Sequence, residues 1–142
     1  MAAELLLLSH AGVTLVMVGI MWAVQLAIYP QFRSVPADSF VPYITEHSSR
    51  IIAVLAPFAP VEIILALLVW VVRPDGTSGW VAFLAGLVLA AAWIATGLFY
   101  APIHGRLQRL GHDQHLIERL IVTNWFRTGL WTIRGVLALV ML

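Results

Sequence analysis

Glu62 has the strongest claim to chemistry in this chain. It closes the segment Ala56-Pro57-Phe58-Ala59-Pro60-Val61-Glu62, inside an aliphatic run from about Ile51 to Val72. It stands about 11 residues from either end of that run. An ionisable group at such a depth costs several kcal/mol unless it is paired, solvated or neutral. A second constellation lies near the C-terminus: Asn124, Arg127, Thr128, Trp131 and Arg134. Their spacing of i, i+3, i+4, i+7 and i+10 places them on one helical face, which is polar and must point inward. Counting ~1.5 Å per residue, Arg127 lies ~12 Å deep, Glu62 ~17 Å and Arg134 ~22 Å, so either arginine can pair with the acid.

These residues define a polar site in an apolar setting. Glu62, Asn124 and Arg127 are the catalytic candidates. Trp22, Gln25, Tyr29, Phe58, Trp93, Phe99, Tyr100, Trp125, Trp131 and Arg134 are candidates to wall a cavity for an apolar substrate with one polar handle. Gln25 and Tyr29 serve equally as interfacial anchors, and any single aromatic serves equally in lipid packing. Arg134 has a further alternative, snorkelling toward the outer headgroups.

The elements that must position them are set by composition. The chain has 142 residues, 61% hydrophobic and 11% charged, with a mean hydropathy of +0.94. That is too little polar surface for a soluble globule. A span takes roughly 20 residues, so four fit. They fall at about 5–29, 51–72, 80–100 and 119–141, giving an all-α integral membrane four-helix bundle in one domain, 1–142. The first apolar stretch is too long for a signal-peptide core and is read as a retained helix. Pro57 and Pro60 predict a kink in the second span.

Residues 31–50 read as a loop with a short interfacial helix starting near Pro36. Residues 73–79 form a tight turn, and 101–118 a third loop in which Asp113 is placed to cap the last span. Arg33, Arg50, Arg106, Arg109 and Arg119 lie in loops one and three, and Arg73 alone in loop two. Loops one and three are therefore expected in the cytoplasm, with their short interfacial helices, and both termini outside.

Several chemistries are set aside. All eight basic residues are arginines against seven acids, scattered along the chain, so no nucleic-acid surface is expected. There is no cysteine, hence no disulfide or thiolate chemistry. His10 falls near the outer edge and the other histidines in loops, leaving no axial pair for haem. His112-Asp113-Gln114-His115 lacks a clear third and fourth metal ligand. No Asp-rich cluster or Gly-rich loop would hold a diphosphate, and a Ser nucleophile with His and acid is missing from the spans. No metal and no cofactor are expected.

The proline-flanked acid of residues 56–62, with Asn124-Trp125-Phe126-Arg127-Thr128 and Trp131-Thr132-Ile133-Arg134, resembles small bacterial membrane proteins of about four spans. Some of these are similar to the terpene cyclases of indole-terpenoid and drimentine-type pathways. The resemblance implies metal-independent, proton-initiated cyclisation of a prenyl (farnesyl-type) chain or its epoxide on a lipophilic partner molecule, in a bacterial plasma membrane. A protonated Glu62 would deliver the proton, and Trp125 and Trp131 would stabilise carbocations. Arginines beside Glu62 oppose that role, because they favour its carboxylate. The alternatives are a non-catalytic subunit binding a membrane lipid or quinone, and a small transporter that would need homo-oligomerisation.

Overall fold

The computed structural model describes residues 1–142, and the chain is all-helical with no strand. Three helical rods are long and apolar enough to cross a membrane: Ala2–Ser34, Phe40–Val72 and Gly79–Leu110. The first comprises α1 (Ala2–Ala23), a π-helical segment Val24–Ile28, the short α2 (Tyr29–Gln31) and a closing 3-10 turn. The second comprises α3 (Phe40–Leu55) and α4 (Phe58–Val72). The third comprises α5 (Gly79–Ala95), a second π segment Thr96–Tyr100 and α6 (Ala101–Leu110). The last helix is α7 (Gln114–Val140).

Helices α1, α4, α5 and α7 form a ring in which each packs on the next: α1 on α4, α4 on α5, α5 on α7 and α7 back on α1. Leu7, Val69, Ala82 and Met141 meet in one cluster, so both chain termini lie at the same end and the helices alternate in direction. The opposite end is closed by a larger cluster that includes Tyr29, Phe32, Phe40, Ile44, Tyr100, Leu107 and Ile117. Between them lies a third apolar layer built on Met17, Met21, Leu89, Ala92 and Trp131. The outside of the ring is apolar as well, with Trp80 81%, Val71 72% and Leu98 66% exposed. Such a surface is stable against hydrocarbon rather than water. Three of its helical rods thus have the length and apolar surface that crossing a membrane requires.

The connections differ from the expected loops with short helices. A rod of 33 residues is ~50 Å long against a hydrocarbon core of ~30 Å. Much of loops one and three is therefore helix continuing past the apolar windows. In α3 the apolar face Phe40, Tyr43, Ile44 and Ile51 follows helical spacing and packs on α6 and the closing cluster. The helix begins at Phe40 rather than near Pro36.

At Ala56–Pro57 the helical hydrogen bonding lapses for one turn, while both residues keep right-handed helical angles. Pro57 and Pro60 thus sit at the start of α4, where a missing N–H costs least. The 73–79 turn is as expected. Arg73 adopts a left-handed φ of 45° at the end of α4, and Thr77 N–H bonds to the Pro74 carbonyl around Gly76 at φ 85°. That φ needs glycine at the third position of the turn. Asp113 caps α7, accepting from Leu116 N–H at 3.0 Å.

Candidate functional site

The polar interior is divided into two layers. The first lies toward the termini. Glu62, in the second turn of α4, is completely buried. Its Oε1 accepts from Thr14 Oγ1 of α1 at 3.2 Å and faces Arg134 Nε of α7 at 3.7 Å. Arg134 Nη2 lies 2.7 Å from His10 Nε2. A guanidinium can only donate, so His10 Nε2 accepts and the ring proton resides on Nδ1. Glu62 Oε2, His10 Nδ1 and Arg134 Nε are buried without a hydrogen-bond partner.

The second layer lies toward the α3–α6 end and is built on Arg127, 6% exposed. Its Nη2 donates to Tyr29 Oη at 3.0 Å, and its guanidinium carbon sits 4.4 Å from the Tyr100 ring centroid and 5.9 Å from that of Tyr29. Tyr29 Oη also shares a hydrogen bond of 2.9 Å with His104 Nε2. The His104 ring stacks on His47 at 5.7 Å. Tyr100 Oη donates to the Thr123 carbonyl at 2.8 Å. Beside it, Asn124 Nδ2 donates to Gln25 Oε1 at 2.7 Å, and Gln25 Nε2 to the Ile121 carbonyl at 3.1 Å. No carboxylate comes within ion-pairing distance of Arg127.

Both tyrosines owe their placement to π segments. The N–H of Tyr29 bonds back to Val24 and that of Ala101 to Thr96, five residues away instead of four. Pro30 and Pro102 follow at once. A proline cannot donate to the carbonyl four residues before it and its ring crowds that carbonyl. A widened turn relieves the clash and re-aims the side chains beside it, and such turns recur at functional sites. The result is that the first and third rods each present a tyrosine to Arg127.

A cavity of about 290 Å³ opens beside this layer. Arg127, Tyr29, Tyr100 and His104 provide its polar wall, and Met21, Ile51, Ile52 and Leu55 much of its apolar wall. Ser48 and Thr96 also border it, but their hydroxyls are donated to the Ile44 and Ala92 carbonyls of their own helices. Arg127 Nε and His104 Nδ1 are buried and unpartnered.

The expected site is thus only partly assembled. Gln25, Tyr29, Tyr100, Asn124 and Arg127 come together. Glu62 and Arg134 do not join them, because the Met17, Met21 and Trp131 layer intervenes. Of the aromatics, Trp131 is buried in that layer with Trp93 edge-on at 6.0 Å, and Phe58 packs against it. Trp22 and Trp125 pair with each other at 5.7 Å on the outer face, 38% and 49% exposed, and Phe99 is 58% exposed. These three do not wall the interior.

The sequence reading missed His10, Thr14, His47 and His104. His10 is seven residues before Met17 on the same buried face of α1, a spacing visible in the sequence. The signal for His104 was its place two residues after Pro102, at the end of the third span. Family models, curated proteins and solved structures provide no match to this chain.

Proposed function

We propose that this chain crosses the bilayer four times, with α7 as the fourth span, and receives a lipophilic small molecule laterally from the membrane. The molecule's polar head would lie against Arg127 in the cavity lined by Tyr29, Tyr100 and His104. One observation carries the reading: a buried guanidinium, held by two tyrosines and no carboxylate, borders a half-open cavity with a largely apolar remainder. An uncompensated cation in such surroundings is stabilised by an anionic or strongly accepting group. The ligand class is a prenyl-type chain bearing a carboxylate, phenolate or quinone-like head.

The test is saturable binding of a farnesylated hydroxybenzoate to the purified protein in nonionic detergent. Arg127→Gln is expected to weaken it at least ~10-fold, the scale of a lost charge-assisted hydrogen bond. Arg50→Gln, a surface change, is the control. Equal affinity in the Arg127 variant would remove this residue as the anchor and the reading with it.

The resemblance to membrane terpene cyclases supports a sharper activity at the same cavity, metal-independent cyclisation of the bound prenyl chain or its epoxide. Glu62 is poorly placed to be the acid, since it does not border the cavity and is engaged with Thr14 and Arg134 in the other layer. The Tyr29–His104 pair is the proton-bearing couple in the wall. Chromatographic detection of an isomeric product tests this reading. A ~100-fold loss of turnover in a folded Glu62→Gln variant would return the acid's role to Glu62.

A further inference from the structure

A second groove lies on the outside of the protein, between the end of the third rod and α7, with a volume of about 660 Å³. Its apolar part is formed by Leu98, Phe99, Val122 and Phe126, each more than half exposed. Its other end is formed by Arg106 and Arg119. Neither of these side chains makes an ion pair or a hydrogen bond, unlike Arg33 and Arg50, which are held by Glu118 and Glu46.

The register across the groove is matched. Phe99 precedes Arg106 by seven residues in the third rod, and Arg119 precedes Phe126 by seven in α7. The two helices are antiparallel neighbours, so both guanidiniums fall at one level and both phenyl rings at another, ~10 Å away along the axis. That is the profile of an amphiphile: two unspent cations at the interface and an apolar trough descending from them.

We propose that this groove binds an anionic diacyl phospholipid, its phosphate between Arg106 and Arg119 and one acyl chain along Phe99 and Phe126. Charge complementarity selects the occupant. Guanidinium groups suit a phosphodiester geometrically, and basic pockets between membrane helices bind anionic lipid headgroups. The site is separate from the Arg127 cavity, though Tyr100 borders both. Its failure would leave the proposed function standing.

The experiment is native mass spectrometry of the delipidated full chain in nonionic detergent, titrated with phosphatidylglycerol and with phosphatidylcholine of the same acyl chains. Phosphatidylglycerol is expected to bind at least ~10-fold more tightly, and R106Q/R119Q to lose that preference. Because R106Q/R119Q removes two charges, R50Q/R73Q is the matched control and should keep it. Both arginines are exposed, so the variant should fold; if it does not, the comparison of the two lipids on the unaltered protein still decides. Equal affinity for the two lipids overturns the proposal, as does an R50Q/R73Q variant that loses the preference equally. Displacement of the lipid by glycerol phosphate at matched concentration would mean a phosphate site without an acyl trough. Tighter binding of an acidic peptide would assign the surface to a protein partner, and either result also overturns it.

Discussion

Arg134 faces Glu62 across 3.7 Å between Nε and Oε1, with both side chains sealed inside the ring of helices. Arg127, two helical turns earlier on the same face of α7, has no part in that pair. Removing one member of a buried pair leaves an uncompensated charge. Arg134→Ala should therefore lower stability by about 3–5 kcal/mol, and the double change with Glu62→Gln should recover much of it. Thermal unfolding in detergent measures both. Arg127→Ala combined with Glu62→Gln should be additive within ~0.5 kcal/mol, because the two lie in separate layers. Strong coupling of Glu62 to Arg127 would contradict the layering.

Tyr29→Phe keeps the ring beside Arg127 and removes the hydroxyl that joins Arg127 to His104. Two buried groups then lose a partner, at a cost of about 1–3 kcal/mol. A lowered Tm with weakened binding of the farnesylated hydroxybenzoate is expected. An unchanged Tm would mean that the hydroxyl is dispensable to the network.

Pro102 stands two residues past the end of the second π segment. Pro102→Ala restores an amide donor and allows the turn to relax to ordinary α geometry, so stability should hold or rise. Relaxation re-aims Tyr100, so ligand affinity should fall. A variant equal to the parent in both respects would show that the π turn has some other origin than the proline.

The outer pair Arg33–Glu118 is bidentate, at 2.6 and 2.7 Å. The hydrogen bonds from Arg33 hold the Glu118 carboxyl below its ordinary value of 4.5. A depressed carboxyl stabilises the fold fully above its unfolded value and loses that contribution as pH falls through the folded one. The Tm difference between the parent and Glu118→Gln should be present at pH 7, shrink in high salt and vanish on acidification below pH 4.5. A difference that grows on acidification would reverse the sign of the linkage.

Cysteine probes decide orientation. Ser34→Cys is expected to react only from the cytoplasm and Asp75→Cys only from outside, since five arginines flank the α3–α6 end against one at the 73–79 turn. The opposite pattern would invert the protein without disturbing either polar layer.

The helical class, the 73–79 turn and the Asp113 cap were legible because each rests on local chemistry, whereas Pro57 and Pro60, read as a kink within one span, fall instead at the start of α4. The periodic face of α7 was legible too, and Asn124, Arg127, Trp131 and Arg134 are all buried. What helical spacing does not convey is which layer each residue meets on neighbouring helices. Arg127 and Arg134 bracket Glu62 equally in depth, and the choice between them depends on Thr14 and His10 of α1. Trp125 lies next to Asn124 in sequence, yet one residue turns a helix by ~100°, which carries Trp125 to the outer face. Tyr29 and Tyr100 were legible as wall candidates, but their shared aim at Arg127 depends on π turns, which shift the phase that a regular helix would give.

The apolar layer of Met17, Met21, Leu89, Ala92 and Trp131 insulates one buried polar group from the other. No hydrogen bond joins the Glu62–Arg134 group on one side to the Arg127–Tyr29 group on the other. A proton wire needs an unbroken file of donors and acceptors, and a hopping ion needs successive polar stations. The side chains of a single copy form no such file across this layer. On the function proposed above, exchange with the surroundings would then be sideways, the ligand entering between helices from the lipid and leaving by the same route.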